Sequence, residues 1–471
     1  MDSLNLCYHF NLWLIKPTIK ATESKSTFFI CCLIIYLTQT QLTMYRIFAC
    51  FLCLFSISLN AQTTDVVSWL NANAIVIEDA GQNTELAAFA QNEPQGFKEA
   101  KIYGFGEATH HTKEFFDLKA KFFKYLVEHN GVRVFIMEES YQAEQAINEW
   151  ISGGPGDKAS VVKNFRHFLW RTTEVADLLE WMRNYNQGKP REAEIRFYGI
   201  DNQMGEDINK RLRSYVQKYN IKIDENLLAA ADSCSTAEYG HVKIKEWGKK
   251  MQPKLQQLTQ LLEQDSQRLK AANTNEYVDM IRGLGYLEDY TAYISWPATD
   301  VRDNAMYENV VKIMNIEVPG SKAFIWAHNE HINKKDFGTI VPSLGSRLKE
   351  HFKDDYYATG FDFGSGKMLG FVIKKKQVLG SEYRILDKPY KKTYAETFFQ
   401  AQPDIYFVDI ATAVKNPEMK KFFGTKMKQL FVGGPGFDPK DPKFFSRKYE
   451  ETYDGIIFLK KISPSVPQKQ P

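Results

Sequence analysis

Ile102-Tyr-Gly-Phe-Gly-Glu-Ala-Thr-His-His111 and Phe324-Ile-Trp-Ala-His-Asn-Glu-His331 share one design. In each, an apolar run that reads as a buried strand stops abruptly in acid and histidine side chains. Two further runs behave alike. Val132–Met137 stops at Glu138, and Ile195–Gly199 stops just before Asp201. A parallel sheet that carries an active site at the C-terminal ends of its strands requires this pattern. Four such terminations predict one shared pocket.

Helical signals separate these runs. Residues 112–129 place apolar side chains at 115, 116, 118, 122, 123, 126 and 127, one face of a helix. Asn130-Gly131 ends it, and helix-like stretches recur at 140–151 and 173–187. The alternation predicts right-handed crossovers and a mostly parallel α/β sheet. From about 204 to 315 Leu, Gln, Lys and Glu dominate, which predicts a helical insertion lobe covering the pocket. Tyr356–Phe361, Ile405–Val408 and Gly455–Leu459 are further strand candidates. The tail 463–471, rich in Pro, Ser and Gln, reads as disordered.

The N-terminus differs from the rest. Residues 44–61 have a basic start, an apolar middle and a small residue before Gln62, the layout of a secretory signal peptide. Residues 1–43 then read as an upstream extension, with a genuine anchor segment as the alternative, leaving a domain over 62–462 that is exported to the periplasm or the exterior. Of the six cysteines only Cys234 lies beyond that signal, so the exported chain has no internal disulfide and no thiolate metal site. No later run reaches the roughly 20 apolar residues of a membrane-spanning helix, which predicts no stable membrane insertion after cleavage. Lys and Arg total 60 against 57 Asp and Glu, a net charge of +3 with no basic cluster, which argues against a nucleic-acid partner.

Glu107 and His110 stand three apart, as do His328 and His331. On a helix such pairs share a face. A histidine titrates near neutral pH, and a neighbouring carboxylate orients its ring, so His110 is placed as a general base. Glu138 adds a carboxylate. Acids and imidazoles from three strand ends suit hydrolysis, one group deprotonating water while others hold the carbonyl and protonate the leaving oxygen. Trp170-Arg171-Thr-Thr-Glu174 and Arg302-Asp303 are secondary candidates; taken alone, the second reads as a helix-surface ion pair. His111, His129, His167, His241 and His351 read as structural, and Gly433-Gly-Pro-Gly436 as a turn.

In these residues the chain resembles the erythromycin esterase family. The resemblance rests on Gly106-Glu107-Ala-Thr-His110-His111-Thr-Lys-Glu114-Phe115 with Lys119, on Glu138, and on Trp170-Arg171-Thr172. It continues through Tyr198-Gly-Ile-Asp201, Arg302-Asp303-Asn-Ala-Met306-Tyr-Glu-Asn309, Trp326-Ala-His328-Asn329-Glu330-His331 and Tyr453-Asp-Gly-Ile-Ile-Phe458. It implies a three-layer α/β/α fold with a helical lobe over a deep cleft, and hydrolysis of an ester, in the name-giving members a macrolide lactone. It implies His110 as the base, Glu107 and Glu138 orienting it, and His328 and His331 stabilising or protonating. Lys119, Arg171, Glu114 and Asp201 fall to substrate binding. No covalent serine, cofactor or metal is implied, and no Gly-x-Ser-x-Gly elbow is present. The alternatives are a metal-dependent hydrolase using the same Glu/His cluster and a haem- or ligand-binding protein of similar fold. Two departures stand out. His111 replaces the usual glycine, a strained choice if the backbone there has positive φ. Lys119 replaces a frequent arginine and lacks its bidentate fork.

Overall fold

In the computed structural model, residues 64–238, 244–338, 340–374, 377–434 and 436–468 are described. The expected extension 1–43 and signal 44–61, and His241, lie outside them. The main sheet has nine strands: β1 (Ile75–Val76), β2 (Ile102–Phe105), β3 (Val132–Met137), β4 (Arg196–Gly199), β5 (Lys322–Trp326), β6 (Tyr356–Lys374), β7 (Gln377–Leu386), β8 (Ile405–Asp409) and β9 (Gly455–Ile462). Their order is β1-β8-β9-β6-β2-β5-β3-β4, with β7 paired to β6. From β9 to β4 every neighbour runs parallel. β8 opposes both its neighbours, and β7 opposes β6.

Both faces of the central strands are apolar because both are covered. Phe105, Phe135, Met137, Phe324 and Trp326 face one core, with residues of α1 (Lys113–Tyr125) and α3 (Thr173–Asn186). Val134, Ile136, Ala323 and Ile325 face the other, with α8 (Thr299–Ile316) and α9 (Leu344–Phe352). These are the two helical layers of a three-layer α/β/α fold. On the first face the rings of Phe105, Phe324 and Phe135 stack in a row across three strands, 4.8 and 5.7 Å apart.

The helical lobe is shorter than expected. α4 (Ile208–Lys218), α5 (Glu225–Ser235), α6 (Ile244–Gln264) and α7 (Ser266–Ser295) form a separate apolar cluster with Tyr141. It is joined to α2 (Glu144–Ile151) by a bidentate Arg282–Glu144 pair at 2.7 and 2.8 Å. α8 belongs instead to the sandwich, because Met306, Val310 and Ile313 pack under the sheet.

The tail, read as disordered, is held over 463–468. Ser463 donates its backbone N–H and hydroxyl to Glu114, and Val466 donates to Glu174. Lys113, Thr173 and Gln468 add backbone bonds. Glu114 and Glu174 sit in the first turns of α1 and α3, where a carboxylate is favoured. The order comes from long-range partners on two helices, which tail composition does not encode.

Candidate active site

Four strand ends meet at one cavity of about 610 Å³, lined among others by His110, Glu138, Asp201, His328 and His331. These follow β2, β3, β4 and β5. Two glycines permit the convergence. A Cβ on Gly106 would lie 2.1 Å from Asn329 Oδ1, and one on Gly199 would lie 2.4 Å from the Ser140 carbonyl oxygen.

Glu107 and His110 are joined in a loop before α1 rather than on a helix. His110 donates its Nδ1–H to Glu107 Oε1 at 2.5 Å, and the buried Lys119 ammonium donates to Oε2 at 2.7 Å. Lys119 also caps the Ala327 carbonyl at 3.3 Å and lies 4.3 Å from the Trp326 ring centroid. Burial pulls Lys119 down to about 8 against the attraction of Glu107. In the neutral ring, a proton held on Nδ1 leaves Nε2 of His110 as an acceptor for the cavity that the ring lines.

His328 has the opposite tautomer. The Glu330 backbone N–H donates to its Nδ1 at 3.2 Å, and its buried Nε2 has no hydrogen-bond partner. Burial, then the neighbouring His110, hold His328 well below the usual histidine range, so the ring is neutral and carries its proton on Nε2. The two rings lie 5.1 Å apart. One presents a lone pair, the other a donor.

Beneath them is a charge-balanced floor. Arg302 grips Asp201 with Nε and Nη2 at 2.8 and 2.9 Å and donates to Glu138 at 2.7 Å. His331 contacts Asp303 at 3.0 Å and Glu138 at 3.2 Å; burial lowers its pKa, but these carboxylates outweigh it and raise it to about 10. Glu138 stays well below the usual carboxylate range, because His331 and Arg302 overcome its burial. Its other oxygen accepts the His328 backbone N–H at 2.8 Å. His167 Nε2 lies 3.1 Å from Asp201, which raises its pKa against burial. Three carboxylates, of Glu138, Asp201 and Asp303, thus face the Arg302 guanidinium and the rings of His331 and His167.

The structure therefore brings together Glu107, His110, Glu138, Asp201, His328 and His331, with changes of part. Glu138 contacts His328 and His331 rather than orienting His110. Lys119 lies beneath Glu107, not on the cavity wall. Arg171 points away and donates to the Phe165 carbonyl at 2.7 Å, bracing the 165–170 loop. Glu114 holds the tail. Arg302, which read as a surface ion pair, is the hub of the floor, because α8 lies under the sheet. His167, which read as structural, lines the cavity. Its signal was missing because Glu139 places it from afar, accepting the Arg166 and His167 backbone N–H groups at 3.1 Å. His111 does occupy positive φ, at 56°. Among the described residues the outer walls are Phe168, Leu169, Gln203, Phe371, Phe431, Gly433 and Gly434, and α4–α7 supply none. Nor do the described residues hold a group of three or more His, Cys, Asp or Glu side chains arranged to bind a metal ion.

The erythromycin esterase family model matches residues 127–462. The chain belongs to the erythromycin esterase family. The match takes in Glu138, Asp201, Arg302, His328 and His331, while Glu107 and His110 lie just before it. Erythromycin esterase type II of Escherichia coli is 25% identical over 404 residues, covering 78% of this chain and 91% of that protein. A Bacillus cereus protein of known crystal structure superposes with a TM-score of 0.75 at 23% identity, over 87% of this chain and 99% of that one. A variant of the erythromycin esterase EreC, in its open conformation, gives a TM-score of 0.62 at 16% identity, over 83% and 97%. These structures share the fold. Family membership makes this esterase-family chain a hydrolase.

Proposed function

We propose that the protein hydrolyses carboxylic esters by water activated at His110, without a covalent enzyme intermediate. The observation that carries this reading is the facing pair of opposite tautomers, His110 with a free Nε2 lone pair and His328 with a free Nε2–H. A water bound at His110 Nε2 gives up a proton as its oxygen attacks the ester carbonyl carbon. The carbonyl oxygen gains negative charge, and His328 donates to it. Glu107 stabilises the imidazolium formed at His110, itself held by Lys119. The tetrahedral intermediate then breaks its C–O bond, and the His110 proton passes to the leaving alkoxide. Arg302 and His331 fix Glu138, which fixes the His328 backbone.

The names of the E. coli relative and of EreC make macrolide lactones the first substrates to try. The test incubates the protein with a panel of macrolides and simple esters, with and without chelator, read by mass spectrometry. Gain of one water, unchanged by chelator, is expected. Loss of turnover with chelator points to a metal-dependent route, and no turnover of any panel member removes the esterase reading.

A further inference from the structure

The cavity wall continues onto an exposed sheet face. Phe371 lies where β6 has left its parallel neighbours and pairs with β7. Strand alternation puts Lys367, Leu369 and Phe371 on one face, and the register sets Ile385, Tyr383 and Ser381 opposite them. The other face, with Met368 and Leu386, packs into the core. The face that carries Phe371 is open, with Tyr383 46% and Ile385 61% exposed. Lys367 lays its ammonium 4.9 Å from the Tyr383 ring centroid. At the cavity mouth Phe168, itself 54% exposed, meets Phe371 edge-on at 6.4 Å. Lys367 lies four residue steps along the strand from Phe371, so at about 3.3 Å per residue the strip reaches roughly 13 Å beyond the cavity.

We propose that this hairpin face is a docking shelf for the apolar part of the substrate, a long acyl or alkyl chain that leaves the cavity past Phe168 and Phe371. This inference rests on the esterase reading. Its ground is continuity: the residue that begins the strip also walls the reacting pair, and a chain bound at His110 and His328 meets Phe371 on its way out. Isolated apolar surface residues need no explanation, but a row joined to an active cavity matches a ligand groove. One-sided burial on such a shelf gives about twofold in affinity per methylene, against roughly fourfold for full burial.

The test uses p-nitrophenyl esters from acetate to dodecanoate, with kcat/KM measured for the wild type, for Tyr383→Ser/Ile385→Ser and for Val318→Ser, an exposed apolar loss elsewhere. The wild type and Val318→Ser should both favour dodecanoate over acetate by at least tenfold, and the double variant should lose most of that ratio. Equal ratios in the wild type and the double variant overturn the shelf while leaving the esterase reading intact. Binding of the fluorescent 11-(dansylamino)undecanoic acid gives a readout free of turnover. The double variant should bind it several-fold more weakly than the wild type, and equal binding overturns the shelf even if no ester is cleaved.

Discussion

The backbone N–H of Glu330 donates to Nδ1 of His328, and this one bond makes His328 a donor rather than a base. An amide N–H cannot accept, so the proton of the neutral ring must sit on Nε2, inside the cavity. His328→Ala should therefore lower kcat by about 10²–10³ with little change in KM, the cost of removing one oxyanion donor. His328→Gln, which keeps an N–H, should recover part of it. A raised KM at unchanged kcat would assign His328 to ground-state binding instead.

Lys119 should set the alkaline limit of the proposed hydrolysis. Its ammonium is lowered to about 8, so it is charged below that pH and neutral above it. As it loses its proton, Glu107 loses its cation, and His110 is no longer held by a paired carboxylate. Activity should fall as pH rises through about 8. Lys119→Arg, with a guanidinium that stays protonated, should move that limb upward by more than one pH unit. A limb at the same pH in both proteins would take Lys119 out of the account.

The Asp303–His331 pair is legible in stability. His331 titrates near 10 in the folded chain and near 6.5 when unfolded. The folded pKa is raised, so the stabilisation is complete below about 6.5 and is lost as pH rises through about 10. Between pH 6.5 and 8, the melting temperature of the wild type should fall relative to that of Asp303→Asn, which removes the main carboxylate partner. Parallel melting profiles would show that His331 is not charged.

Truncation after Ile462 removes the partners that Glu114 and Glu174 hold at two helix starts. Hydrogen bonds to a charged group contribute about 1.5–3 kcal/mol each, so losing one at each of the two glutamates should cost the truncated chain about 3–6 kcal/mol in urea unfolding. Unchanged stability would mean that the tail adds nothing to the fold.

The two histidines that face each other in the cavity, His110 and His328, were legible because strands obey a short rule. An apolar run of four to six residues that ends in Glu, Asp or His marks the edge of a buried parallel sheet, and β2, β3, β4 and β5 each announced their site residue in this way. The floor was less legible. Arg302 and Asp303 lie on a helix whose polar composition resembles the lobe, and only the packing of Met306 and Val310 beneath the sheet turns them inward. His167 and the 463–468 segment depend on carboxylates distant in sequence, Glu139, Glu114 and Glu174, and no local pattern carries that information. The positive φ of 56° at His111 was legible only through the glycine that the family usually carries there.

The most direct test of the central claim is the rate of ester hydrolysis by His110→Ala against the wild type, on the best substrate of the panel and at equal melting temperature. If His110 is the base that activates water, kcat should fall by about 10²–10⁴, the usual contribution of a positioned proton acceptor. A variant that hydrolyses as fast as the wild type would contradict the account.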